Sequence, residues 1–198
     1  MLSSYRKNLE KAILEKSVSK EWSTAVQEWE PIDIQEDIDK NFSCVCGKTN
    51  LRFLYTIINT STKGKLFPIG SECIKKFERS DLNEYISIKE QLFELLHAVR
   101  SKEFIELTSE YFSRKLLEYL YNEGVFISNE YNGFDESNDY KFLLKMFNRR
   151  GKSVIGQREE RKIRALIGFT IRPWLEEQLG NKIIRKNRGG DSANNFNR

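Results

Sequence analysis

Three cysteines are the residues of this chain best suited to chemistry, because thiolates are strong ligands for zinc. Cys44 and Cys46 stand two positions apart, and Gly47 allows a tight turn directly after them. Cys73 follows Cys46 by 27 residues and falls in the first turn of a predicted helix, where the helix dipole favours a thiolate. A predicted β-hairpin between them would bring the three together. This is the layout of treble-clef and ribbon-like zinc modules, and it predicts a structural zinc site.

The fourth ligand of such a tetrahedral site is open at this point. His97, the single histidine, stands 24 residues beyond Cys73, and a carboxylate such as Glu72 or a water molecule is the alternative. The opposite interpretation is a zinc-free module in which the cysteines are small buried hydrophobic residues. A catalytic metal is not expected, because no neighbouring Glu/His set offers a general base to a metal-bound water.

The second candidate group is basic. Residues 141–198 contain 15 Lys and Arg against 5 Asp and Glu, whereas residues 1–140 contain 18 against 24. Lys and Arg neutralise phosphates, so this asymmetry favours a polyanionic partner. The alternative is that the acidic and basic parts neutralise each other within the fold. The candidate nucleic-acid contacts lie in a loop, on one helix face and in a basic tail: Arg149, Arg150, Lys152, Arg158, Arg161, Lys162, Lys182, Arg185 and Lys186.

Acidic stretches raise the question of an enzyme. Residues 21–39 hold seven acidic and no basic residues, and Asp135 and Asp139 belong to a second acidic stretch. These carboxylates could bind a divalent cation or mimic a phosphate backbone, although solvated loops are the ordinary interpretation. The chain has one histidine and no P-loop, GxGxxG or GxSxG motif, and residues 135–139 lack the paired carboxylates plus Lys of a restriction-type nuclease. We therefore expect a protein that is not an enzyme.

The elements that must position these groups follow from hydrophobic periodicity and turn signals. Strands are predicted at 51–59 and 66–69, with a weaker signal at 32–38, and Pro68 indicates an edge strand. The dipeptide Asn132–Gly133 is a possible hairpin tip, and Pro173 should separate the last two helices. Apolar spacing predicts helices at 4–18, 20–29, 81–99, 108–124, 139–148 and 156–171, and a short one that ends at Gly180.

The predicted fold class is α+β and predominantly helical, with a small knuckle–β-hairpin–helix module packed on a helical domain. The chain has 198 residues, 39% of them hydrophobic, which is enough for a real core. No apolar run approaches the ~20 residues of a membrane span. Few cysteines and no signal-type segment indicate a reducing cytoplasm. The predicted parts are N-terminal helices (1–30), the cysteine-containing hairpin module (31–80), a helical domain with a basic C-terminal part (81–180) and a disordered tail (181–198).

The cysteine block also resembles a zinc-ribbon-like motif of small phage- and plasmid-borne proteins. Members of that group usually have a fourth Cys or His near the knuckle or hairpin, where this chain has Lys48 and Tyr55. The resemblance implies a mobile-element origin and association with nucleic acid or nucleoprotein. The residues that carry it are Cys44-x-Cys46-Gly47, Ile57-x-Asn59, a turn glycine, and Ile69-Gly70-Ser71-x-Cys73-Ile74-x-x-Phe77.

These observations predict a non-enzymatic nucleic-acid- or nucleoprotein-binding accessory protein of a mobile genetic element. The alternative is a counter-defence protein, resembling an anti-CRISPR, that inhibits a host defence nuclease by binding it or by blocking its nucleic-acid channel. The third hypothesis is a metal-dependent nuclease that uses Asp135 or Asp139.

Overall fold

The computed structural model describes residues 3–102, 104–149 and 155–185. These residues form a mixed α+β fold, mainly helical with one four-stranded sheet, which confirms the predicted class. Two units are distinguished: the described residues of 1–70 with 183–185, and those of 71–182. No helix within the described ranges has the length and apolar character needed to cross a membrane.

The first unit contains a helical start followed by the sheet. The strand order is β3-β2-β1-β4, with β1 antiparallel to β2, β2 antiparallel to β3, and β1 parallel to β4. The helix predicted at 20–29 is shorter than expected, because the fully buried Trp29 begins a strand. The elements are α1 (Ser4–Lys16), α2 (Trp22–Ala25) with a 3-10 turn (Val26–Glu28), β1 (Trp29–Asp37), β2 (Phe53–Asn59), β3 (Lys65–Ile69) and β4 (Ile183–Ile184).

Prolines in this sheet occupy positions where a missing N–H is tolerated. Pro68 lies in β3, an edge strand, as predicted. Pro31 lies in β1 next to a register shift, and β4 pairs with β1 only at Glu36 and Asp37. Within the described ranges, no strand pairs with the outer side of β1 at Pro31.

A charged hydrogen-bond centre ties the hairpin turn to the loop after α1. The buried Asn59 side chain accepts from the backbone N–H groups of Ser61 (2.9 Å) and Thr62 (2.8 Å). Its amide donates to the Glu28 carboxylate at 2.7 Å, and Glu28 also accepts from the Ser19 backbone N–H at 2.8 Å. These donors, the Asn59 amide first, lower the pKa of Glu28, so its charged form is the one the fold uses.

The second unit is helical, and α4 carries the largest share of its core. Helix α4 packs against both α5 and α8. The elements are α3 (Ser71–Ile74) with a 3-10 turn (Lys75–Phe77), α4 (Ser80–Ser101), α5 (Arg114–Asn122), a 3-10 turn (Glu130–Asn132), α6 (Ser137–Phe147), α7 (Gln157–Ala165), a π-helical segment (Leu166–Ile171), α8 (Arg172–Leu179) and a 3-10 turn (Gly180–Lys182).

Two local predictions in this unit are wrong. The helix expected from Thr108 begins only at Arg114, because the Ser113 hydroxyl accepts the Leu116 N–H at 3.0 Å and caps the helix there. Asn132–Gly133 is not a hairpin tip. Asn132 closes a 3-10 turn with its side chain buried, and Gly133 caps that turn at φ +70°.

The helix predicted at 156–171 passes through the π-helical segment into α8 instead of stopping before Pro173. Four-residue spacing drifts by ~40° per step around an α-helix, and the wider π turn offsets that drift, so the apolar stripe stays on one side. Pro173 falls in the first turn of α8, where a missing N–H costs least. The buried stripe is Ile163, Ile167, Ile171, Leu175 and Leu179.

Residues 181–184 carry regular structure, although they lie within the predicted disordered tail. Ile183 and Ile184 pair in parallel with Glu36 and Asp37, and the backbone N–H of Ile38 donates to the Ile184 carbonyl at 3.1 Å. The remaining part of the predicted tail, 186–198, lies outside the described residues.

Candidate functional site

The CxCG sequence forms the tight knuckle that its glycine predicts. The Gly47 N–H donates to the Cys44 carbonyl at 2.7 Å, and the Cys44 N–H donates to the Lys48 carbonyl at 2.8 Å. Gly47 has φ +93°, a conformation that favours glycine. The Val45 N–H donates to the Pro68 carbonyl at 3.0 Å and fastens the knuckle to β3. The knuckle is thus held in place by the hairpin that follows it.

The three cysteines converge. Their sulfur atoms all lie within 4.8 Å of one another, and Cys44, Cys46 and Cys73 are buried and free of disulfides. Cys73 lies on α3, which begins directly after β3, and the Gly70 N–H points at the Cys44 sulfur at 3.4 Å. Zn–S bonds of ~2.3 Å place the sulfurs of a tetrahedral site ~3.8 Å apart. This group of close, buried thiols could hold a metal ion.

The other residues of the cysteine motif build the hairpin around this group. Asn59 orders the β2–β3 turn, as described above. A Cβ on Gly70 would lie 2.9 Å from the Cδ2 atom of Leu51, so only glycine fits there without displacing that side chain. Four further motif residues are buried: Ile57, Ile69, Ile74 and Phe77. The non-cysteine residues of the motif therefore pack together and hold the thiols in position.

Neither protein side chain considered as a fourth ligand joins the cysteines. Among the described residues the group contains no further His, Cys, Asp or Glu. His97 stands 17 residues after the start of α4 at Ser80, which is ~26 Å along a helix axis. Glu72 is exposed and forms an ion pair with Lys75 at 2.8 Å. The sequence separation from Cys73 allowed His97 to be a ligand. In the structure, His97 lies far along α4 from the start of that helix.

Two of the basic candidates are neutralised by carboxylates. Arg149 pairs with Glu159 at 3.0 Å, with both side chains about one-third exposed. The Lys162 ammonium lies 2.7 Å from the carboxylate of Asp139. Asp139 is buried and also accepts from the Asn132 amide at 2.9 Å. These two cations are less available to a polyanion than the sequence suggests.

Arg158 and Arg161 differ from that pair. Both are exposed on α7, one helical turn apart, and neither forms an ion pair with a carboxylate in the described part of the chain. Lys182 is half-buried, and Arg185 is exposed at the end of the described chain. Three candidates lie outside the described residues: Arg150, Lys152 and Lys186.

The acidic candidates have structural roles. The Asp135 carboxylate accepts the backbone N–H of Ser137 at 2.9 Å, and Asp139 is committed to Lys162. In the stretch 21–39, Glu21 caps α2, and hydrogen bonds led by the Ser23 hydroxyl lower its pKa to about 2. Apart from the three cysteines, the described residues contain no group of three or more potential metal ligands.

Sequence reasoning missed an exposed aromatic pair near the π-helical segment. Phe169 is 85% exposed and Phe104 is 56% exposed. The signal that could have found Phe169 is the four-residue apolar stripe of α7 and α8, because a residue two positions after Ile167 falls on the opposite side of the helix. Phe104 lies in a loop and gives no such signal.

Comparison with protein-family models, with curated proteins and with solved structures finds no match to this chain. The likeness of the cysteine motif to phage- and plasmid-borne proteins therefore stays a prediction.

Proposed function

We propose that the protein is a non-enzymatic, nucleic-acid-binding accessory protein that contacts the phosphate backbone through α7. The observation that carries this proposal is the pair Arg158 and Arg161, two exposed guanidinium groups on adjacent turns with no carboxylate partner among the described residues. Arginine presents several donors in a planar fork and pairs well with phosphate oxygens. Arg149 and Lys162 add less, because carboxylates already hold them.

This arrangement implies a small electrostatic footprint. Each neutralised phosphate contributes ~0.9 to the slope of log affinity against log salt on duplex DNA. Two free arginines therefore support a slope of about −2, which becomes steeper if basic residues outside the described ranges also bind. Such a protein holds nucleic acid weakly and without sequence preference, as expected of an accessory factor.

The test is fluorescence anisotropy with a labelled 20-mer duplex from 50 to 200 mM salt. The double variant Arg158→Ala/Arg161→Ala should weaken binding about tenfold and flatten the salt slope by about 2. The matched control is Lys141→Ala/Lys145→Ala, which removes the same charge from two exposed positions of α6 that form no ion pair with a carboxylate among the described residues. Equal losses in both variants, or no binding at 50 mM salt, would overturn the proposal.

We further propose that the cysteine group is a structural zinc site of the treble-clef or zinc-ribbon kind. A knuckle, a hairpin and a helix-start cysteine support this, as does the Gly70 N–H directed at the Cys44 sulfur. Three thiolates would bind the ion, and a water or another exogenous ligand would complete the tetrahedron. The resemblance of the motif to phage- and plasmid-borne proteins supports a mobile-element origin.

A second candidate function is supported by a different surface, the loop 127–136. Its aromatic side chains are unusually exposed: Tyr131 is 84% and Phe134 is 74% exposed, among Glu130, Asp135 and Glu136. Exposed aromatics within an acidic rim suit a basic protein surface such as the nucleic-acid channel of a host nuclease. This favours the inhibitor resembling an anti-CRISPR as the alternative.

Side-chain hydrogen bonds order the loop, which suits a binding surface because less entropy is then lost on docking. The buried Asn132 amide donates to the Ile127 carbonyl at 2.8 Å and to Asp139 at 2.9 Å, and the Asn138 amide donates to the Asn132 carbonyl at 2.9 Å.

The test is inhibition of a purified host defence nuclease. Tyr131→Ala/Phe134→Ala should abolish inhibition, whereas inhibition unchanged by that variant would exclude this surface.

A further inference from the structure

A small cleft lies on the second unit beside the π-helical segment. Its lining includes Lys102, Phe104, Arg164, Gly168 and Arg172, and its volume is about 30 Å³. A Cβ on Gly168 would meet nothing within 4 Å, so the backbone there is open to a ligand. The cleft is too shallow to enclose a small molecule, but its rim presents aromatic and cationic groups together.

Of the two exposed aromatic rings, Phe104 lines the cleft, and Phe169 stands next to the lining residue Gly168. The guanidinium of Arg164 lies 4.6 Å from the centroid of the Phe104 ring, so one side of this ring is already in a cation–π contact. Phe169 follows Gly168 directly and leaves most of its surface in water. Exposing a phenylalanine forgoes ~2 kcal/mol of hydrophobic stabilisation, which is expected where the ring serves a ligand.

The charges around the cleft favour an anion. Arg164, Gly168 and Arg172 follow one another at four-residue spacing along the helix, and Lys102 also lines the cleft. Arg164 forms an ion pair with Glu160, and Lys102 lies over the ring of Tyr111 with its ammonium 3.9 Å from the Glu110 carboxylate. Arg172 is exposed and has no ion pair with a carboxylate among the described residues.

We propose that Phe169 and the Phe104–Arg164 stack bind unpaired bases of single-stranded nucleic acid, with its phosphates on Arg172 and Arg161. This inference rests on the proposed function and names its substrate class. Base–aromatic stacking is worth ~1–3 kcal/mol per base and tolerates any sequence. A duplex keeps its base faces inside the stack, so it can use only the arginines. Arg161 and Phe169 are separated by ~12 Å along the helix, a distance that a few nucleotides span.

The experiment compares a labelled 15-mer single strand with the duplex of the same sequence at one salt concentration. Phe169→Ala should weaken single-strand binding about tenfold, since one stacked base is lost, and change duplex binding less than twofold. Tyr5→Ala is the control, because it removes another exposed aromatic ring, which is 48% exposed on α1 and belongs to neither proposed surface. Exposure of Phe169 means that its replacement leaves the fold intact, which circular dichroism checks.

The outcomes separate the inference from the function beneath it. Single-strand binding that survives Phe169→Ala, or that falls equally for strand and duplex, overturns the stacking role while leaving the arginine contacts in place. If Arg158→Ala/Arg161→Ala abolishes binding of both nucleic acids while Phe169→Ala changes neither, the proposed function stands and the inference is overturned. A wild-type protein that binds neither nucleic acid overturns both. Stable binding of a protein to this face, competed by neither strand nor duplex, would also overturn the inference.

Discussion

The cysteine group and helix α7 hold their reactive side chains in opposite environments. The thiols are buried and gathered within 4.8 Å, fixed by backbone hydrogen bonds of the knuckle and hairpin. The cations of α7 lie at the surface, where Asp139 pairs with Lys162 and Glu160 pairs with Arg164. Arg158 and Arg161 form no ion pair with a carboxylate among the described residues. A buried site is thus set by backbone geometry, whereas an exposed site is set by which opposite charges the fold brings close.

The largest expected effect comes from disrupting the buried cysteine group. Cys73→Ser should abolish stoichiometric zinc binding and lower the free energy of unfolding by about 4 kcal/mol, or ~12 °C in Tm. Metal analysis and thermal unfolding with and without a chelator measure this. Chelator should lower the wild-type Tm towards that of the variant. If the purified wild-type protein contains no metal and chelator does not change its Tm, the zinc-free interpretation of the cysteines is supported instead.

The next effect releases Lys162 from its ion pair with Asp139, so that its ammonium becomes available to a polyanion. Asp139→Asn removes the charge that holds Lys162, while the amide can still accept from Asn132. We expect unfolding to become easier by ~2 kcal/mol, because the Lys162 partner is lost. We also expect polyanion affinity to rise about threefold. Urea unfolding and anisotropy measure both changes, with Asp135→Asn as the control for net charge.

A smaller effect concerns the exposed pair of Arg149 and Glu159. The pKa of Glu159 is lowered first by the Gly156 backbone N–H and then by Arg149. Glu159→Gln keeps an acceptor for Gly156 but frees Arg149, so the salt slope of nucleic-acid binding should steepen by about one. Glu118→Gln removes an equal charge from an exposed position on α5. If both variants behave alike, Arg149 contributes no specific phosphate contact.

The smallest effect is a pH dependence in the first unit. The folded pKa of Glu28 lies below its ordinary value of 4.5. Stability from this group is therefore complete above pH 4.5 and is lost as pH falls through the lowered value. Glu28→Gln should show a smaller loss of stability between pH 6 and pH 3.5 in urea unfolding. Glu15→Gln, an exposed residue of α1, should keep the full wild-type pH response.

Local chemistry in the sequence predicted the first unit well. The CxCG spacing, Pro68 and the apolar run of β2 each act through neighbouring residues, so the knuckle, the edge strand and the hairpin were all visible. The β1–β4 pairing was not visible, because a two-residue parallel pair of Ile183 and Ile184 with β1 has no local signal.

The candidate binding site was predicted less well, because its properties depend on distant partners. Lys162 has helix-face spacing that favours a phosphate contact, but Asp139 lies on another helix and neutralises it. Apolar spacing predicted a helix from Thr108, yet the Ser113 hydroxyl decides where α5 begins. Pro173 predicted a break between two helices, but the π-helical segment before it continues directly into α8.

The close approach of Gly70 to Leu51 has a consequence for how this hairpin can diverge. Only 2.9 Å separates the position of an added Cβ on Gly70 from Cδ2 of Leu51. The side chains at positions 51 and 70 therefore compete for the same space. Alanine at 70 alone would cost stability, whereas Leu51→Val together with Gly70→Ala would recover part of it, a non-additive coupling. In any related chain, side-chain size at these two positions should vary in opposite directions.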